Sequence, residues 1–78
     1  MQISVHAIER MRERFPKTSN WSEEILIRRV RDAAETGTVE DIRADGAEVI
    51  RCVLKTSVVS TTQIRVAVRD DTIVSIYA

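Results

Sequence analysis

The feature that most narrows what this chain can fold into is a change of hydrophobic period at Gly37. Before it, apolar residues recur at helical spacing: Ile8, Met11 and Phe15 with Ala7 beside them, then Leu26, Val30 and Ala33 with Ile27 and Ala34 on the flank. After it they alternate, most cleanly in Ile64-Arg65-Val66-Ala67-Val68-Arg69, as a half-buried strand does. Helices are therefore expected over residues 3–15 and 21–36. Pro16 has no amide donor and restricts the residue before it, so it stops the first helix. Asn20 as N-cap, with Glu23 three residues on, gives the second a capping box, and Gly37 ends it as a C′ residue. Strands are expected over residues 38–43, 47–54, 62–69 and 72–77. Asp45-Gly46 reads as a two-residue primed hairpin turn, and Asp70-Asp71 turns the chain into the last strand. The expected architecture is α+β, one domain over residues 1–78: two N-terminal helices followed by a four-stranded antiparallel sheet.

With 78 residues there is room for one modest core and no second domain. Twelve basic and 12 acidic side chains cancel, which argues against a cationic coat for nucleic acid but leaves room for a local basic patch. Ten of the basic residues are Arg, whose planar fork suits phosphates and carboxylates. Cys52, the single cysteine, cannot form an internal disulfide and reads as a small buried hydrophobe amid Ile50, Val53 and Leu54. No apolar run exceeds three residues and no basic segment leads into an apolar one at the N-terminus, so a cytoplasmic protein without a membrane span is expected. One His and one Cys do not build a zinc site. Gly37 and Gly46 are the only glycines, too few for a phosphate loop. The spacing of Glu40, Asp41 and Asp45 matches neither a calcium loop nor a nuclease metal site. No metal and no cofactor are expected.

Two groups of residues could carry chemistry. His6, Arg10 and Arg14 are spaced i, i+4, i+8 and so share one helix face, opposite Ile8, Met11 and Phe15. One imidazole beside two guanidiniums suits phosphate handling: the imidazole exchanges a proton near neutral pH, while the guanidiniums hold an anion. The same spacing equally suits a solvated face whose Arg residues pair with Glu9 and Glu13. The second group is Arg65 and Arg69 on one strand face, joined by Arg51 on a neighbouring strand. Such a face is able to hold an RNA backbone, or simply to face water. Tyr77 could stack on a base, act as an acid, or pack at a sheet edge.

The run His6-Ala7-Ile8-Glu9-Arg10-Met11-Arg12-Glu13-Arg14 resembles the H-A-x-x-R-M-x-x-R opening of a small bacterial and phage family, domain of unknown function 4258. The ending Ile64-Arg65-Val66-Ala67-Val68 with Ile73-Val74-Ser75-Ile76-Tyr77 is similar to that family's closing pair of strands. The resemblance implies kinship with RelE- and BrnT-like toxins, in the group of metal-independent ribonucleases that includes barnase, EndoU and colicins, and hence a RelE-like fold. By position it implicates His6, Arg10 and Arg14, and more faintly Ser75 and Tyr77. In this reading His6 acts at the ribose 2′-hydroxyl, Arg10 and Arg14 hold the scissile phosphate, and Arg65 or Tyr77 assists. The partners implied are RNA and an antitoxin protein. The chain departs from that group in its neutral charge and in having only Lys17 and Lys55 as lysines. The alternative is a non-catalytic phage or mobile-element protein that binds and inhibits a host protein.

Overall fold

The structure, a computed structural model, describes residues 1–77. The chain opens on a strand rather than a helix: Gln2 N–H donates to the Asp71 carbonyl at 3.0 Å and Ser4 N–H to that of Ile73 at 2.9 Å. Gln2–Ile3 (β1) therefore lies parallel to the last strand. Helix α1 spans Val5–Arg14, because Ser4 keeps an extended backbone and its hydroxyl accepts from Ala7 N–H at 3.1 Å, an N-cap. Phe15 caps its end, and Pro16–Thr18 form a single 3₁₀ turn. Arg12 holds the connection in place, donating to the carbonyls of Thr18 (3.0 Å) and Trp21 (3.1 Å).

Helix α2 spans Glu23–Glu35 with Ser22 as its N-cap, the hydroxyl accepting from Ile25 N–H at 3.2 Å. Asn20 stands outside the helix, so the expected capping box with Glu23 does not form. Trp21 packs on the core rim with the Arg29 guanidinium 4.6 Å above its ring. Gly37 is not left-handed, as Gly46 is the one glycine with positive φ. Its role is close approach: a Cβ there would lie 2.5 Å from Ile50 Cγ2 and 2.7 Å from the Arg51 carbonyl oxygen.

Four strands follow, β2 (Thr38–Ile42), β3 (Glu48–Lys55), β4 (Thr61–Arg69) and β5 (Thr72–Tyr77), each antiparallel to the next. With β1 the order is β1-β5-β4-β3-β2. The expectation of two leading helices and a four-stranded antiparallel, RelE-like sheet is thus corrected to α+β with a five-stranded mixed sheet. The reason is local: with Ser4 capping α1, the preceding Gln2 and Ile3 are extended and free to pair with the edge of β5.

The turns also differ from expectation. Arg43 N–H donates to the Ala47 carbonyl (2.8 Å) and Gly46 N–H to that of Arg43 (2.9 Å), closing a three-residue loop with Gly46 at φ +87°. The two-residue primed turn is instead Asp70-Asp71, both at positive φ (52° and 58°).

Both helices pack on one face of the sheet. Ile50, Cys52, Leu54, Ile64, Val66, Ile73 and Ile76 meet Ala7, Met11, Leu26, Val30, Ala33 and Ala34 in one core. Each fully buried Leu, Ile or Met in it contributes about 1.5–3 kcal/mol relative to exposure. Ile73 and Ile76 are three residues apart, yet both face the core. The pairing of Ala67 with Ser75 and then Val68 with Ile73 skips Val74, a bulge that restores the register. No helix among the described residues is long and apolar enough to cross a membrane.

Candidate functional site: the open face of the sheet

The helices leave the other face of the sheet uncovered, and its chemistry follows from the register. Residues alternating with the core positions point there: Val49, Arg51, Val53 and Lys55 on β3, and Gln63, Arg65, Ala67 and Arg69 on β4, with Tyr77 on β5. Arg65 stands directly opposite Arg51 on one side and Tyr77 on the other. Tyr77, Arg65 and Arg51 therefore form one cross-strand row. Like charges directly opposite in a sheet repel, so the Arg51–Arg65 pair needs a counter-anion nearby.

One is supplied by β2. Its pairing runs Val39 with Ile50 and then Asp41 with Val49, which leaves Glu40 as the extra residue of a bulge. The bulge re-aims that side chain, and the Glu40 carboxylate accepts from Arg65 Nε at 2.7 Å. Among the described residues Arg51 makes no ion pair. Its guanidinium is the unneutralised charge of the row.

The Asp45 loop supplies a second set of contacts. Arg43 reaches from the end of β2 to β5 and donates to the Tyr77 hydroxyl oxygen at 2.9 Å. Its other terminal nitrogen pairs with the Asp45 carboxylate at 3.1 Å, which also lies 3.7 Å from Arg69 Nη1. Asp45 is held below its ordinary pKa of 3.8, first by the hydrogen bond from Ala47 N–H (3.0 Å), which outweighs the opposing cost of burial, with Arg43 and then Arg69 lowering it further. Ala67, on this face and outside the helix-covered core, is nonetheless 0% exposed. Because the Tyr77 oxygen accepts from Arg43, its own O–H remains able to donate to a bound anion.

The expected site residues thus divide between two places. Arg51, Arg65, Arg69 and Tyr77 share the open face. His6, Arg10 and Arg14 lie on α1, which packs on the opposite face, and do not join them. His6 and Arg14 are exposed, and neither makes a hydrogen bond or ion pair among the described residues. Arg10 pairs with Glu13 at 3.3 Å, as a solvated helix face does. Ser75, opposite Ala67, is half-buried.

Glu40, Arg43 and Asp45 are the members of the site that sequence reasoning missed. The bulge that aims Glu40 leaves no sequence signature, and Arg43 meets Tyr77 across 34 residues of chain. Among the described residues no three His, Cys, Asp or Glu side chains converge to hold a metal ion. The arrangement is suited to gripping an anion with guanidiniums and a phenolic O–H. Comparison with protein-family models, curated proteins and solved structures finds no match to this chain.

Proposed function

We propose that this is a small toxin-type protein that binds RNA on the open face of its sheet and cleaves it there without a metal. The observation that carries the reading is the row Tyr77–Arg65–Arg51, in which Arg51 makes no ion pair among the described residues and the phenol is held by Arg43 with its own proton free to donate. The closing motif, which carries Arg65 and Tyr77 and resembles that of the toxin-like family, adds support. Arg51 and Arg65 hold the phosphate and offset the charge that builds on it. The Glu40 carboxylate takes the 2′-hydroxyl proton. The 2′-oxygen bonds to phosphorus as the bond to the 5′-oxygen breaks, and the Tyr77 O–H protonates that leaving oxygen. The products are a 2′,3′-cyclic phosphate and a 5′-hydroxyl.

The test is binding and cleavage of fluorescently labelled single-stranded RNA in EDTA. With two or three phosphates gripped, log affinity should fall against log salt with a slope of about −1.4 to −2. Arg51→Ala should weaken binding by about tenfold, the loss of one charged hydrogen-bonding contact. Tyr77→Phe should stop cleavage while leaving binding within about threefold, and His6→Ala should change neither. Loss of cleavage in His6→Ala with retention in Tyr77→Phe would move the chemistry to α1. Binding without cleavage would leave a non-catalytic RNA-binding protein, and no RNA binding at low salt would refute the reading.

A further inference from the structure

A second surface, independent of the RNA reading, lies along β3. The last pair between β2 and β3 is Thr38 with Arg51, because Gly37 carries the chain away into α2. Beyond that point β3 has β4 as its only strand neighbour, so its other edge is open over Val53–Lys55. Which groups point outward follows from the alternation of the ladder. Thr56 N–H donates to the Ser60 carbonyl at 3.0 Å, so Thr56, Leu54 and Cys52 direct their backbone groups toward β4. Val53 and Lys55 direct theirs outward. The Lys55 carbonyl agrees, since it accepts from Arg29 Nη1 on α2 at 3.3 Å. The Val53 N–H and C=O and the Lys55 N–H have no partner among the described residues.

This edge borders a groove of ≈ 450 Å³ whose lining includes Arg28, Arg29 and Asp32 of α2, with Val53, Lys55 and Val58. Three cations face one carboxylate there. Val53 and Val58 are exposed and offer apolar footholds. Unpaired ladder groups select an extended backbone, the valines select apolar side chains, and the charge selects acidic ones. The other long edge, β2, carries Glu40 and Asp41 and would repel such a strand. We propose that the open half-edge of β3 binds an extended segment of a partner protein, acidic residues alternating with apolar ones, as an added strand.

The probe is a short synthetic peptide of alternating Glu and Val, titrated into isotope-labelled full-length protein and read by amide shifts and hydrogen exchange. In the free protein the Val53 and Lys55 amides should exchange far faster than those of Cys52 and Leu54. The peptide should shift and protect the first two, and its Lys-Val counterpart should bind at least about tenfold more weakly. Val53→Pro should still fold, because Pro is tolerated where the amide faces outward at an edge, and should lose peptide binding. If it does not fold, Arg29→Glu, which reverses a groove charge, should weaken the Glu-Val peptide by at least about tenfold. Slow exchange at Val53, unmoved Val53 and Lys55 amides at millimolar peptide, equal binding of the Lys-Val peptide, or full binding by a folded variant would each overturn the proposal.

Discussion

Adding one carbon at Gly37 gives the sharpest test of how the helical and sheet halves are joined. The Cβ of Gly37→Ala would sit 2.5 Å from Ile50 Cγ2, 2.7 Å from the Arg51 carbonyl oxygen and 2.8 Å from Cys52 Cβ. All three are well inside the ~3.5–4.0 Å at which carbon contacts are favourable. Ile50 cannot swing away freely, being 9% exposed within the core. The Arg51 carbonyl belongs to β3, which is paired on both sides at that residue, so it does not withdraw without loosening the ladder. The α2–β2 connection must lift instead. Overpacking of this kind costs roughly 1–3 kcal/mol, and the lost freedom of the unfolded chain returns about 0.4–1. The net loss should be about 1–2 kcal/mol, a fall in Tm of roughly 4–16 °C at this size.

The assay is thermal and urea unfolding followed by circular dichroism, with Gly46 as control. A Cβ at Gly46 meets nothing within 4 Å, but its φ of +87° is costly for other residues. Gly46→Ala should therefore lose about 1 kcal/mol, and Gly46→Asn less, since Asn tolerates left-handed backbone. At Gly37 the order reverses, with Asn worse than Ala because the longer side chain meets the same wall. If Gly37→Asn proves as stable as Gly37→Ala, or if both lie within ~0.5 kcal/mol of the parent, the close-approach argument is wrong.

Other outcomes follow from single contacts. Arg12→Ala should cost about 1.5–3 kcal/mol in urea unfolding by stranding the Thr18 and Trp21 carbonyls, and Arg12→Lys should recover only part because Lys lacks the fork that reaches both. Asp45 is depressed in the folded state, so its contribution to stability is present above pH 3.8 and is lost as pH falls through its lower folded value. Asp45→Asn should accordingly flatten the acid limb of the stability profile, and a carboxyl NMR titration of the parent should place Asp45 below the ordinary value of 3.8. Burial pushes the Cys52 thiol up to about 11, so an aromatic disulfide reagent at pH 8 should label it only as fast as the protein opens, and promptly in denaturant. Rapid labelling of native protein would mean that the floor between α2 and β3 is more open than the core contacts imply.

Sequence alone makes the helical stripes and the β4 alternation legible because each is a periodic signal repeated several times. Single events are where it fails. Asn20 and Ser22 are both competent caps, and nothing local decides between them; the helix starts where the rim contact of Trp21 and the hold of Arg12 leave Ser22 extended. Gly37 and Gly46 look alike in a sequence, although one avoids a wall and the other supplies a positive φ. The turn chemistry misleads similarly: Asp45-Gly46 has the stronger primed-turn signature, but Asp70-Asp71 adopts the positive-φ pair. The fifth strand is only two residues long, too short for any alternation to be read. Within the site, Arg51, Arg65, Arg69 and Tyr77 are visible as members of alternating strands. Glu40 and Arg43 are not, because a bulge and a reach across the sheet place them.

The balanced net charge also conceals an uneven distribution. The carboxylates of the sheet half lie largely at one end, Asp45 and Glu48 at the β2–β3 loop and Asp70 and Asp71 at the β4–β5 turn, where Arg43 and Arg69 offset them only in part. Arg51, Arg65 and Lys55 lie toward the other end, with Glu40 aimed at Arg65 between them. An anion approaching the open face therefore meets a gradient. At the turn end Arg43 and Arg69 are already engaged by Asp45, so the stronger draw is the Arg51 guanidinium in the row that holds Tyr77. A cationic coat would bind any nucleic acid anywhere and show a steep salt slope. A short graded row should hold a few phosphates in one register, with a shallow slope and a strong dependence on Arg51. Swapping the gradient without changing the net charge separates these cases. Exchanging the charges of Arg51 and Asp71 in an Arg51→Asp, Asp71→Arg double variant should abolish RNA binding if register matters, and leave it nearly intact if total charge does.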